Sequence, residues 1–195
     1  MDQQIINLYD EYTHKPLTRH DFIKRLAQLA GGTAAAMALL PLLESNYAKA
    51  AITHSDDLFT EYIKYPGVPN EVTAYVARPK QEKQYAAIII IHENRGLTPH
   101  IEDVTRRAAN AGYLAIAPNA LSASGKTPAN EDEARQWFSE LKPEDNLQNF
   151  KNAFAYLPAR KDYNGKVGCV GFCWGGAMAN TLAVKPRQCQ HQYRC

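Results

Sequence analysis

The chain has 195 residues, which is about the length of one domain. Its 45% hydrophobic and 22% charged residues are ordinary for a globular protein, and a net charge of +2 gives no reason to expect nucleic acid or an acidic polymer as a partner. The four cysteines lie too close to the C-terminus to hold a disulfide-stapled fold together, and none of their spacings is Cys-x-x-Cys.

The first 50 residues have the features of an export signal. A weakly hydrophobic stretch over residues 26–43 follows Lys24 and Arg25, and an Ala-x-Ala pattern ends at Ala50. A basic flank, an apolar segment and a small-residue cleavage site, in this order, are typical of secretory signals. We therefore predict cleavage after Ala50 and a periplasmic or otherwise exported protein, the alternative being a cytoplasmic one.

The apolar stretch is not expected to form a stable membrane span. Gln28, the pair Gly31-Gly32 and Pro41 interrupt it, and its many alanines contribute little transfer free energy compared with leucine or isoleucine. The stretch is therefore a better candidate for a signal segment than for a transmembrane helix.

The segment before it resembles a twin-arginine signal. Residues 18–24 read Thr-Arg-His-Asp-Phe-Ile-Lys, so His20 stands where the second arginine of that pattern belongs. The alternative is that this region forms an N-terminal amphipathic helix that packs on the domain.

The next part of the chain predicts the beginning of a sheet. Residues 58–65 and 72–76 have the alternating or β-branched and aromatic character of strands, and residues 66–70, Pro-Gly-Val-Pro-Asn, form a turn between them. These two strands are expected to pair antiparallel. Residues 86–91, Ala-Ala-Ile-Ile-Ile-Ile, predict a strand that is buried on both faces and lies at the centre of the sheet.

Helices and strands alternate through the rest of the chain. Thr98 is a plausible cap for a helix that runs to Ala111 and is stopped by Gly112. The other predicted elements are a strand at 113–117, a loop at 121–130, helices at 131–141 and 145–157, and a strand at 167–170. This order predicts an α/β protein with an open, mostly parallel sheet, an antiparallel beginning and flanking helices.

A short glycine-rich segment follows the last predicted strand. In Gly171-x-Cys173-x-Gly175 a strand passes through a sharp turn into a helix predicted at 177–184, and small neighbours, including Gly176, leave room around the thiol. This is the pattern of a nucleophile elbow, with cysteine in place of serine. The alternative is that Cys173 is a small buried apolar residue beside a tight turn.

Other glycine-rich and metal motifs do not fit. A Walker loop requires Lys and then Ser or Thr after its last glycine, where this chain has Ala177-Met178, and the dinucleotide pattern Gly-x-Gly-x-x-Gly is absent. Gly96 stands where a His-Glu-x-x-His zinc helix would need its second histidine. Cys189-x-His191 with Cys195 lacks a second ordered pair of ligands. We therefore predict no metal and no cofactor.

Glu93 and Cys173 both follow the carboxyl ends of predicted strands. In an open sheet of this kind, the loops at those ends face the ligand crevice. The two side chains are therefore expected at one site, although Glu93 taken without the elbow is more typical of an ordinary surface carboxylate.

Three segments resemble the dienelactone hydrolases, a cysteine-using branch of the α/β-hydrolase fold. They are His92-Glu-Asn-Arg-Gly96, Ala115-Ile-Ala-Pro118 and Gly171-Phe-Cys-Trp-Gly-Gly176, and the likeness covers roughly residues 58–184. The resemblance implies a hydrolase of carboxylic esters (EC 3.1.1-like) whose substrate is a small-molecule ester or lactone.

The same resemblance implies roles for four residues. Cys173 would be the nucleophile, and Glu93 would be the carboxylate beside it that helps decide whether the sulfur is thiol or thiolate. The backbone N–H groups of Trp174 and Asn94 would form the oxyanion hole. No role is carried over for Arg95. A weaker alternative is redox use of Cys173 with Cys169, which strand geometry disfavours.

The C-terminal residues depart from the family pattern. In this fold an acid and then a histidine follow the nucleophile, yet residues 174–195 contain no Asp or Glu and only one histidine, His191. Our hypothesis is a changed reading frame or a premature stop. This hypothesis predicts a partial α/β-hydrolase domain at 51–184 that is incomplete at the C-terminus, and an aberrant tail at 185–195. The export signal at 1–50 precedes them.

That hypothesis has consequences for function. Without the triad acid and histidine the hydrolase would be impaired, and the elbow strand would be left as an apolar edge of the sheet. The alternative function is that of a non-catalytic remnant or a binding protein with the same fold. The sequence specifies no oligomeric state.

Overall fold

The computed structural model describes residues 2–14, 17–43, 53 and 56–184. The chain divides into two units, Met1–Ala50 and Ala51–Cys195. The predicted cleavage motif at residues 48–50 and the tail at 185–195, with Cys189, His191 and Cys195, lie outside the described residues.

The first unit consists, in its described part, of three helices that pack on one another. They are α1 (Gln3–His14), α2 (Arg19–Ala30) and α3 (Thr33–Leu43). Side chains from all three form a common core, which comprises Ile5, Leu8, Tyr12, Phe22, Leu26, Ala36, Leu40 and Leu43. The rings of Tyr12 and Phe22 stack at its centre, with centroids 4.3 Å apart.

Helix α2 has clear local start and stop signals. Thr18 caps it by accepting a hydrogen bond from the Asp21 N–H (3.1 Å), and Gly31, with a φ of 82°, ends it. The apolar stretch at 26–43 is therefore divided between α2 and α3 instead of forming one continuous helix. In the described part of the chain, no helix is both long enough and apolar enough to cross a membrane.

The second unit is built on a mixed sheet. Its described strands are β1 (Leu58–Tyr65), β2 (Val72–Pro79), β3 (Tyr85–Ile91), β4 (Leu114–Pro118) and β5 (Tyr163–Gly171). They lie in the order β1-β2-β4-β3-β5. Strand β2 is antiparallel to both of its neighbours, whereas β3 is parallel to β4 and β5, so four of these five strands run in one direction. The predicted α/β class is confirmed, as is the antiparallel beginning.

Strand β3 was expected at the centre of the sheet, and this was wrong in detail. Among the described strands β4 occupies the middle position, and β3 lies between β4 and β5. Strand β3 is nevertheless covered on both faces: Ile89 and Ile91 belong to one hydrophobic cluster, and Ile88 and Ile90 to the other. Burial on both faces explains the uninterrupted apolar run, which cannot indicate the strand's place in the order.

Helices flank both faces of this sheet. They are α4 (Pro99–Asn110), α5 (Glu131–Ser139), α6 (Pro143–Tyr156) and α7 (Trp174–Val184). Ile101 and Ala109 of α4 pack in the cluster with Ile90. Phe150 of α6 and Met178 of α7 pack with Ile89 and Ile91 on the opposite face.

Several element boundaries differ from the predictions. Helix α6 begins at Pro143, because proline fits the first turn of a helix, where its missing N–H is not needed. Ala120–Ser124 forms a 3-10 turn that begins one residue before the predicted loop. Strand β5 starts four residues early, at Tyr163, and α7 starts three residues early, at Trp174, so the turn between them is only two residues long.

Candidate active site

The ends of β3 and β5 bring the two candidate loops to the same edge of the sheet. The strands are parallel and in register, with Ile91 opposite Gly171. The Phe172 N–H donates to the Ile91 carbonyl at 3.1 Å, which extends the pairing one residue beyond β5. The chain segments that carry Glu93 and Cys173 therefore leave the sheet side by side.

Cys173 lies at the apex of a strained bend. Its φ is +52°, and it is the one non-glycine residue in the described ranges with a positive φ. Left-handed backbone is unfavourable for any residue with a Cβ, and such strain is found most often at functional sites. The side chain of Cys173 is exposed, which contradicts the alternative of a small buried residue.

The two glycines around Cys173 are required by close backbone approach. A Cβ on Gly171 would lie 1.9 Å from the Gly175 carbonyl oxygen, and one on Gly175 would lie 2.3 Å from the Ile91 oxygen. Gly176 differs, because its Cβ would meet nothing nearer than 3.4 Å. The bend therefore needs Gly171 and Gly175 but does not need Gly176.

Cys173 immediately precedes the first turn of α7. The N–H groups of Gly176 and Ala177 donate to its carbonyl oxygen at 3.0 and 3.4 Å, and the Gly175 N–H donates to Phe172. Trp174 is the first helical residue, so its N–H has no acceptor within the helix. The positive end of the helix and this N–H are both suited to stabilising negative charge beside the sulfur.

Glu93 lies half-buried in the loop that follows β3. Its carboxylate makes no hydrogen bond and no ion pair in the described part of the chain, and it is not hydrogen-bonded to the Cys173 sulfur. The structure thus brings the two residues to adjacent strand ends without joining their side chains. The carboxylate is available to accept a proton from a nearby group.

The next two residues of this loop are tied to a helix. The Arg95 guanidinium donates from Nε to Glu131 Oε2 at 3.0 Å and from Nη1 to the Asn94 side-chain oxygen at 3.0 Å. Glu131 is the first residue of α5, 36 positions away in sequence. Sequence reasoning missed this ion pair because nothing local indicates it.

In the sequence, His92 was considered only as part of a zinc motif and of a segment that resembles the dienelactone hydrolases, yet it is a buried residue that contacts several parts of the site. Its side chain has no exposed area. Nδ1 lies 2.5 Å from the Glu93 carbonyl oxygen, and Nε2 accepts a hydrogen bond from the Ala120 N–H at 3.0 Å. Burial lowers the pKa of His92 to about 4, against a smaller opposing effect of the Glu93 carbonyl. The ring is therefore neutral at physiological pH.

An aromatic cluster surrounds this histidine. The Trp174 indole lies nearly parallel to the imidazole, with an interplanar angle of 19° and centroids 5.9 Å apart. Phe138 of α5 packs edge-on against Trp174 at 4.8 Å, and Phe150 of α6 contacts both rings. The residue that opens α7 is thus held by three elements.

The other residues considered in the sequence are Cys169 and possible metal ligands. Cys169, in β5, is half-buried, and no disulfide joins it to Cys173. The residues that the structure describes contain no group of three or more His, Cys, Asp or Glu side chains that could hold a metal ion.

Comparisons with known proteins point to one family. The family model described as the dienelactone hydrolase family matches residues 72–191. A protein of Escherichia coli strain K12, YghX, described as a hydrolase fragment, is 45% identical over 114 residues, which is 55% of this chain and 97% of that protein.

Two longer proteins are also similar. One from Synechocystis sp., described as a carboxymethylenebutenolidase, is 33% identical over 62% of this chain and 52% of its own length. A crystal structure from Klebsiella pneumoniae, described as a dienelactone hydrolase, has a TM-score of 0.57 and 27% identity, over 65% of this chain and 54% of that one. The chain therefore spans about half the length of these two proteins.

Proposed function

Because this chain belongs to the dienelactone hydrolase family, with its α/β-hydrolase fold, we propose that it cleaves carboxylic esters or lactones through a thioester formed on Cys173. The conformation of Cys173 is the observation that carries the proposal. An exposed thiol is held at positive φ between two glycines that tolerate no Cβ. Such a conformation costs about 1 kcal/mol or more and offers no packing in return, so a chemical role accounts for it best.

In the proposed first step, the Cys173 sulfur attacks the carbonyl carbon of the ester. The unpaired carboxylate of Glu93 accepts the thiol proton, and the backbone N–H groups of Trp174 and Asn94 donate to the developing oxyanion. The tetrahedral intermediate collapses as the carbon–oxygen bond to the alcohol breaks. The leaving oxygen takes the proton that Glu93 accepted from the thiol, so the alcohol departs neutral, Glu93 is again a carboxylate, and the acyl group remains on sulfur.

In the second step, water attacks the thioester, releases the carboxylic acid and regenerates the thiol. This step needs a base for the water, and the sequence after Cys173 has no Asp or Glu and one histidine, His191. We therefore propose that these 195 residues by themselves acylate readily but deacylate slowly, which is the impairment expected without the triad acid and histidine.

Acetylation by p-nitrophenyl acetate tests this function. The wild-type chain and Cys169→Ala, the matched control in β5, are expected to release p-nitrophenol and to gain the mass of one acetyl group per chain. Cys173→Ala is expected to gain none. Equal labelling or equal turnover in wild type and Cys173→Ala would reject a thiol nucleophile and would favour a binding protein of the same fold.

The role of Glu93 is tested in the same assay. Glu93→Gln removes the proton acceptor but keeps the shape of the side chain, so acetylation is expected to slow by about 10²-fold or more. Glu140→Gln, an exposed position at the end of α5, is the control and should leave the rate unchanged. An unchanged rate in Glu93→Gln would remove Glu93 from the proposed mechanism.

A further inference from the structure

The side chain of His92 touches three segments that meet at the candidate site. It is fully buried directly after β3, its nitrogens contact the Glu93 carbonyl and the Ala120 N–H, and its ring stacks on Trp174. These partners belong to the loop after β3, the segment after β4 and the start of α7. This one side chain therefore links three segments.

The two hydrogen bonds define the state of the ring. The Ala120 N–H is a donor, so Nε2 must be unprotonated to accept from it. The one ring proton is then on Nδ1 and is donated to the Glu93 carbonyl. In a protonated ring, Nε2–H would face the Ala120 N–H, so two donors would meet at a site where His92 is fully buried.

The stacked indole connects this ring to the elbow. Trp174 follows Cys173 directly and opens α7, and Phe138 and Phe150 hold its indole from the other sides. The His92 backbone takes part as well, because a Cβ on Gly175 would lie 2.6 Å from its carbonyl oxygen. A shift of the imidazole would therefore move the start of α7 and the Glu93 loop together.

We propose that His92 is a positioning residue for carbonyl attack, a role that rests on the function proposed above. Its neutral ring holds the loop that bears Asn94 against the start of α7, so that the N–H groups of Asn94 and Trp174 converge on one oxygen beside Cys173. The ring does not touch the substrate. Its effect is on oxyanion stabilisation and not on the thiol itself.

Two reactions of the same sulfur separate these effects. Acetylation by p-nitrophenyl acetate passes through an oxyanion, whereas alkylation by iodoacetamide is a direct displacement at carbon that needs no oxyanion donors. His92→Phe keeps a ring against Trp174 and removes both hydrogen bonds. We expect its acetylation rate to fall by about 10²-fold while its alkylation rate changes by less than about threefold.

Two further variants test the hydrogen bond from Ala120 and the effect of the substitution itself. His92→Gln keeps an acceptor for the Ala120 N–H and is expected to recover at least about tenfold of the lost acetylation rate. His100→Phe, the same substitution at a half-buried histidine in α4, is the control and should leave both rates unchanged. Equal falls in acetylation and alkylation of His92→Phe, or no fall in either, would overturn the positioning role.

The wild-type chain distinguishes failure of this inference from failure of the proposed function. If Cys173 is alkylated but never acetylated, the thioester mechanism is wrong and the positioning role falls with it. If Cys173 is acetylated and His92→Phe leaves the ratio of the two rates unchanged, only the inference is wrong.

A second measurement needs no variant. Nitrogen-15 NMR of the histidine rings should show His92 with Nδ1 protonated and Nε2 unprotonated from about pH 5 to 8. Protonation at Nε2, or an imidazolium in that range, would overturn the assignment.

Discussion

At the scale of single residues, Gly175 shows how closely the elbow is packed. Its α-carbon faces the carbonyl oxygens of Ile91 and His92, at 2.3 and 2.6 Å from where a Cβ would lie. Both obstacles are backbone atoms, which cannot rotate away as a side-chain tip can. Neighbouring Gly176 faces no such obstacle, so the two positions form a natural pair for comparison.

Gly175→Ala is expected to lower the free energy of unfolding by about 1 to 3 kcal/mol, because the extra methyl group forces the elbow away from β3. Acetylation of Cys173 should be lost with it. Gly176→Ala should be neutral or stabilising by up to about 1 kcal/mol, since alanine is the better helix former. Urea unfolding midpoints measure both variants. Equal effects of the two substitutions would contradict the close approach at Gly175.

At the scale of elements, a network of arginines and carboxylates joins β1, β2 and the start of β5. Arg160 donates to both oxygens of Asp162, at 2.8 and 2.9 Å, and to Glu61 at 2.9 Å. Arg78 of β2 pairs with Asp162 at 2.9 Å. Burial by itself would raise the pKa of Asp162, but the bonds and charge of Arg160, with Arg78, lower it below its ordinary value.

The sign of this shift predicts how stability depends on pH. A carboxyl group whose folded-state pKa is lowered contributes stability that is fully present above its unfolded pKa of about 3.9 and is lost as the pH falls through the folded value. We therefore expect the urea midpoint to fall below about pH 4. Asp162→Asn should lower the free energy of unfolding at pH 7 by about 2 to 4 kcal/mol and flatten the acid-dependent part of the curve.

The control for this experiment is Asp57→Asn, an exposed carboxyl group that makes no ion pair in the described residues. It should change neither the midpoint at pH 7 nor the slope in acid. Asp103 has a lowered pKa too, so some acid dependence should remain in Asp162→Asn. An unaltered slope in that variant would show that Asp162 is not a linked group.

Strand β5 lies at one edge of the described sheet although part of it is apolar. It carries the uncharged segment at residues 167–171, and among the described strands it pairs only with β3. Val170 is 36% exposed as a result. An apolar edge of this kind favours association with other strands, and that association stays a prediction.

At the scale of the whole molecule, the two units have separate hydrophobic cores. The first unit contains the segment that resembles a twin-arginine signal, and in α2 the side chain of Phe22 from that segment is fully buried. The residues of the proposed export signal therefore also form packed helices, in which part of the twin-arginine-like motif is buried.

Processing of the expressed chain tests the export proposal. Exported protein should begin at residue 51, because a signal peptidase cuts after small residues. Ala50→Leu should prevent the cut, and Lys49→Gln, at the permissive position of the same motif, should not. Mass spectrometry of the N-terminus measures all three proteins. Recovery of the wild-type chain from the cytoplasm with its first 50 residues intact would reject the proposal.

The order of helices and strands in the second unit could be predicted from the residues themselves, and so could the elbow. Both depend on local physics: apolar periodicity, capping residues and proline set the elements, and the glycines at 171 and 175 permit a bend that bulkier residues would forbid. The same local signals could not give the exact ends of β5 and α7, because these depend on pairing with β3.

The residues that surround Cys173 could be identified only from the folded chain. The contact between His92 and Ala120 spans 28 positions, and the pair of Arg95 with Glu131 spans 36. The fold also places β4, and not β3, in the middle of the described sheet. Hydrogen bonds and stacking between residues far apart in the chain produce no recognisable pattern in the sequence. They depend on how the finished elements pack and not on the conformation that each segment prefers.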